Sequence, residues 1–203
     1  MEYSQTATAD ALLAINAAKS FFNLAGSFFG QLPSNPREWA EFISSRKGPL
    51  IAATANLAFL IELYLKATAK ITLGHAPHGH NLLKLFDELP EDIRQSIDGC
   101  YRYRCSCLKS KLLAIEFTIT TTPIEPTAEQ KRPWRINSVA GDDVRSLLEA
   151  EQDAFQIWRY LYEAHAPDKP FCVVIHHARM AVLKDAIEDQ SKPSHERPNF
   201  ASK

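Results

Sequence analysis

Apolar residues recur every third or fourth position near the start of the chain, at Leu12, Ile15, Phe22, Ala25 and Phe29, which is the spacing of one face of an α-helix. A first helix over about Thr6 to Leu32 is predicted. Asn35-Pro36-Arg37-Glu38 places a capping side chain ahead of a proline whose fixed φ suits the first helical position, so a short helix to about Ser45 follows, and Gly48 ends it. The next helix has a start signal at Pro49 and a stop at Gly74, and its apolar residues cover most of its circumference. It is expected to be the central helix of a bundle. Leu82, Leu85, Phe86 and Leu89 predict a helix over Asn81 to Leu89, and Pro90-Glu91-Asp92 opens another that reaches about Ala114, with acidic groups where the helix dipole favours them.

From Glu116 to Ala140 the pattern changes. Threonines at 118, 120, 121 and 122 and prolines at 123, 126 and 133 oppose helix, which reads as a long loop with a short extended piece at Phe117 to Thr120. Gly141-Asp142-Asp143 opens a helix to about His165, Pro167 to Pro170 interrupts it, and a last helix is expected over about Phe171 to Asp189. The predicted fold class is all-α: a helical bundle with an extra N-terminal helix and a long loop before the penultimate helix. Residues 1–190 are expected to form one domain and 191–203, polar with two prolines, a disordered tail.

Charge adds little to this picture. With 23 Lys+Arg against 24 Asp+Glu, no global field favours a polyanion, so any such site must be local. The four cysteines, Cys100, Cys105, Cys107 and Cys172, lack paired metal-site spacing and read as reduced thiols. The first ten residues carry Glu2 and Asp10 and no basic stretch, and the run from Pro49 to Leu65 is broken by Thr54, Asn56 and Glu62. A cytoplasmic protein without a membrane span is expected.

Three clusters could carry chemistry. Arg102, Arg104, Lys109 and Lys111 alternate with Tyr101 and Tyr103, which suits a nucleic-acid backbone with stacked bases and equally suits a solvated helix face. His75, His78 and His80 offer three imidazoles in six residues, although no acidic or thiol partner is near in sequence, and no metal or other cofactor is expected. Arg159 and His165 pair a permanent, planar phosphate-binding cation with a proton-transfer group that titrates near neutral pH. They differ in direction by about 120° on a regular helix, but Pro167 disfavours helical geometry at Ala166 and frees the backbone beside His165. Another reading stays open: Arg159 pairs with Glu163 one turn on, and His165 caps a helix end.

Glu62 and Lys66 form an i,i+4 pair of favourable polarity on the central helix, in the run Glu62-Leu63-Tyr64-Leu65-Lys66-Ala67, and Gly79-His80-Asn81-Leu82 opens the helix after it. With Arg159, five intervening residues and His165 on the penultimate helix, this order resembles the HEPN superfamily, all-α proteins of prokaryotic defence and toxin–antitoxin systems. The resemblance covers about Pro49 to Leu89 and Asp143 to Ile187. It implies metal-independent RNA cleavage with Arg159 and His165 as catalytic residues, supported by Tyr160, Glu163, Glu62 and Lys66. It also implies a homodimer, RNA as a partner, and a cognate antitoxin or defence partner. Tyr160 stands where active members commonly carry Asn, Asp or His, which keeps a non-catalytic dimerisation, partner-binding or RNA-binding module as the alternative.

Overall fold

The computed structural model describes residues 2–108, 115–119, 141–152 and 171–191. Among them are seven α-helices: α1 (Glu2–Phe29), α2 (Trp39–Ser44), α3 (Lys47–Leu73), α4 (Leu82–Asp87), α5 (Glu91–Leu108), α6 (Val144–Ala150) and α7 (His177–Ser191). Two strands, β1 (Ile115–Ile119) and β2 (Phe171–Ile175), pair antiparallel with Ile115 opposite Ile175 and Ile119 opposite Phe171. The fold is an all-α helical bundle with this one two-stranded ribbon added.

α3 is the axis. α1 packs along it, α7 and α4 cover other sides, α2 lies at its start, and α5 joins the bundle through α7 and α6. Its apolar residues go all the way round because neighbours do: Leu57, Leu60, Ile61, Tyr64, Leu65 and Ala69 are all buried. By length and composition Gly48–Leu73 could cross a membrane, and 56% of its most apolar stretch is buried within the fold. α1 approaches closely because Ala11, Ala18 and Ala25, seven residues apart, are buried in the seam. A second, smaller core joins Phe28, Ile43, Leu50, Ala53, Ala58 and Ile175, which ties the end of β2 to α1, α2 and α3.

Most element boundaries follow from local chemistry. Gly74, with φ 82°, supplies the left-handed residue that ends α3, and its N–H donates to the Lys70 carbonyl. α3 begins two residues before the expected Pro49, which the first turn tolerates because its N–H groups have no helical partner there. Asn81 caps α4 by accepting from Lys84 N, and Asp143 caps α6 by accepting from Ser146 N at 2.8 Å. Asn35 precedes a single 3-10 turn, Pro36–Glu38, before α2.

Gly48, expected to end α2, is instead the second residue of α3, and α2 ends at Ser44; other boundaries differ as well. α1 ends at Phe29 and not Leu32, since Gly30 follows and its N–H closes the last turn onto Gly26 O. The extended piece expected at Phe117 to Thr120 is present as β1, which starts two residues earlier, at Ile115, and is paired with β2, so Glu116 belongs to a strand and not to the loop. The last helix starts at His177, because Phe171–Ile175, aromatic and β-branched, takes the extended conformation and finds a partner in β1. Residues 109–114, 120–140, 153–170 and 192–203 lie outside the described residues, and with them the expected end of α5, the rest of the long loop, the helix to His165 and the tail.

Candidate functional site

Glu62 is a carboxylate on the most enclosed part of α3, 2% exposed, and it is not left alone there. Lys66, one turn on, donates to its Oε1 at 2.8 Å. Gly74 and Gly79, both at positive φ (82° and 95°), let the loop after α3 double back, and buried Pro77 pins that loop to the bundle. The return brings His80 onto Glu62, with Nδ1 2.9 Å from one carboxylate oxygen and 3.0 Å from the other. Facing a carboxylate, Nδ1 is the protonated nitrogen and donates, which fixes the neutral ring in the tautomer that leaves Nε2 as the acceptor atom. The His80 side chain is 44% exposed, so a buried acid supports an imidazole that reaches solvent. This arrangement can orient a proton-transfer group.

The same turn is tied to α6. Leu82 N donates to the Gln152 carbonyl at 2.8 Å, and Asn81 Nδ2 donates to Gln152 Oε1 at 3.2 Å. The chain therefore leaves α6 beside the His80-Asn81 turn before running on to residues 153–170. Arg159, Tyr160, Glu163 and His165 fall in that segment, and Lys109 and Lys111 in another, all outside the described residues.

The basic run on α5 divides. Arg102 is exposed and pairs with Asp98 at 2.6 Å, and Asp98 also accepts from Val144 N at 2.8 Å, so this pair sits at the start of α6. Arg104 turns the other way. It donates to Asp189 at 2.6 Å, lies 3.8 Å from Asp185 and touches Cys100 Sγ at 3.4 Å, clamping α5 to α7 around a carboxylate that is 3% exposed. Tyr101 is buried with Arg179 Nη1 3.4 Å from its hydroxyl, while Tyr103 is exposed. Burial raises the pKa of the Cys100 and Cys105 thiols, and Cys107 is exposed. Of the three clustered histidines, His80 is on Glu62, and His75 and His78 are exposed on the loop. Among the described residues no three His, Cys, Asp or Glu side chains converge as metal ligands would.

Two features escaped the sequence reading. Glu151, at the end of α6, accepts from both the backbone N–H (3.2 Å) and Nδ1 (2.9 Å) of His176, a buried pair joining α6 to the start of α7. Beside it His177 stacks on Phe29 (ring centroids 4.8 Å, 15° between planes) and meets Trp39 edge-on at 5.9 Å. Burial drives its pKa down to about 4, with the neighbouring His176 contributing, and its Nδ1 has no hydrogen-bond partner among the described residues. No sequence signal marks either contact, because both join segments distant along the chain.

Fold and site together define a helical-bundle protein whose central helix buries a carboxylate, Glu62, held by Lys66 of that helix and by the partly exposed His80 of the following loop. No protein-family model, curated protein or solved structure matches the chain.

Proposed function

We propose that this chain is a HEPN-like, metal-independent endoribonuclease of the cytoplasm, working as a homodimer in a defence or toxin setting, with Arg159 and His165 as its catalytic residues. The observation that carries the reading is the junction at His80-Asn81. Glu62 binds His80 and Gln152 binds Asn81, so the segments bearing the first two parts of the HEPN-like pattern are in contact, and the chain enters the third part from that same turn. In the proposed reaction the ribose 2′-oxygen attacks the adjacent phosphorus as His165 accepts its proton, while Arg159 offsets the charge that builds on the phosphoryl oxygens. The P–O5′ bond breaks and the 5′-oxygen takes a proton, leaving a 2′,3′-cyclic phosphate and a 5′-hydroxyl.

The test is to incubate the full chain with single-stranded RNA in excess EDTA and to identify the new ends by mass spectrometry. Cleavage to cyclic phosphate is expected, lost on His165→Ala and weakened in both binding and rate on Arg159→Ala. Cleavage that requires added Mg²⁺, or that survives both substitutions, would sink the reading. Tyr160 favours a second reading, the non-catalytic dimerisation or partner-binding module, which a well-folded dimer that leaves RNA intact would establish in its place.

A further inference from the structure

The seam between α1 and α3 opens at one end. Ala11 and Ala14 on α1, Ala67 on α3 and Ala76 in the returning loop enclose a cleft of about 180 Å³, several times the volume of one water molecule in the liquid. Its polar groups are Lys66, Lys70 and Asp10. Four alanines explain why the space exists: methyl groups let the helices approach along the seam but cannot fill the gap where the loop joins them. The two lysines are one turn apart on α3, so their stems stand on the same face.

Their charges are unequally matched. Lys66 is fixed by Glu62 at 2.8 Å, but an ammonium has three donor hydrogens and the carboxylate engages one of them. Lys70 has Asp10 at 3.9 Å, at the outer limit of an ion pair, and that carboxylate is 65% exposed, so water screens most of the attraction. The cleft thus offers a weakly matched cation, spare donors on a second, pre-oriented cation, and an apolar floor that lowers the local dielectric. A tetrahedral anion with several acceptor oxygens suits both ammonium groups at once.

We propose that this cleft is a phosphate-binding subsite held by Lys66 and Lys70, and that the phosphate belongs to an RNA strand engaged at the Glu62-His80 turn; the second clause rests on the ribonuclease reading. Lys66 is the physical link, since it lines the cleft and shares the Glu62 carboxylate with His80. The subsite would hold a phosphate away from the scissile one and set the strand's register.

The test uses the full chain labelled with ¹³C on alanine methyls, titrated at constant ionic strength first with inorganic phosphate and then with a single-stranded 2′-deoxy oligonucleotide that cannot undergo 2′-hydroxyl attack. Saturable shifts of the Ala11, Ala14, Ala67 and Ala76 methyls with both probes, weakened at least tenfold by Lys70→Gln, are expected. Ala76→Leu, on an exposed loop where the fold should tolerate it, is expected to block both probes by filling the cleft. Shifts with phosphate alone would keep the subsite and remove its assignment to a strand. Phosphate shifts from a chain that cuts no RNA would keep the subsite and overturn the ribonuclease reading. Absence of shifts in a chain that does cut RNA, or shifts unchanged in Lys70→Gln, would overturn the subsite and leave the ribonuclease reading standing.

Discussion

Glu62 shows how a charged residue can be both structural and available to chemistry. Taking a carboxylate out of water costs several kcal/mol unless hydrogen bonds replace the lost hydration, and Lys66 and His80 replace it. Removing the acid leaves two partly exposed groups that water can re-solvate. Glu62→Ala should therefore destabilise the fold by roughly 2–3 kcal/mol, less than stranding a buried charge would cost, and thermal denaturation followed by circular dichroism checks it. His177 makes the opposite case, a buried ring that resists charge. Its folded pKa, about 4, lies below the 6.5 of an exposed histidine, so the unfolded chain binds the proton more readily. The stability from keeping the ring neutral is fully present above pH 6.5 and is lost progressively as pH falls towards 4, on the order of 3 kcal/mol in all. His177→Phe preserves the stacking on Phe29 and removes the titration. Denaturant unfolding between pH 4 and 7 should show the variant's stability falling less steeply than the parent's, and parallel curves would refute this account of His177.

At the scale of elements, Arg102 and Arg104 belong to one basic run and one helix yet differ in what they hold. Arg102 pairs with Asp98 in the open, and such pairs contribute about 0–1 kcal/mol. Arg104 neutralises Asp189, buried between α5 and α7, so Arg104→Ala takes the cation away from a buried carboxylate and should cost about 3–5 kcal/mol, while Arg102→Ala should cost under 1. Equal effects in urea denaturation would show that Arg104 is not the clamp. The sequence could not separate the two, because their difference lies in a partner 85 residues away. The elements themselves were legible where local chemistry decides them: Gly74 ends α3, Asn81 starts α4, and the apolar circumference of α3 marks it as central. Phe171 to Ile175 was not, since a five-residue apolar run has no period that distinguishes strand from helix, and its pairing with residues 115–119 is set by the tertiary fold. The candidate site divides the same way. The Glu62-Lys66 pair follows from i,i+4 spacing, whereas the closure of His80 onto Glu62 depends on a loop path that two positive-φ glycines permit but do not specify.

At the scale of the whole molecule, the proposed homodimer needs a surface, and the four phenylalanines of α1 do not supply it. Phe21 meets Phe59 edge-on at 4.9 Å, Phe22 lies under the Lys184 ammonium, Phe28 is buried in the smaller core and Phe29 stacks on His177, so all four serve the monomer. What α1 leaves in water is Leu12, 53% exposed and so outside the buried face its spacing predicted, together with Leu13, 72% exposed, and Leu24, 60% exposed; of the three, Leu13 and Leu24 share one face. Eleven residues separate them, and at about 100° per residue they fall within roughly 20° of one line, spaced about 16 Å along the helix. Ala17 and Ser20 lie between them on the same line, small enough for a second helix to come close. Two copies of α1 related by a two-fold axis would bury this strip against itself, as self-complementary interfaces do. Leu13→Lys combined with Leu24→Lys should convert a dimer into a monomer at micromolar concentration by light scattering. The helical circular dichroism spectrum should stay unchanged, because neither side chain contributes to the core. A parent chain that is already monomeric would remove the dimer from the proposed function, and a double variant that remains dimeric would move the interface off α1.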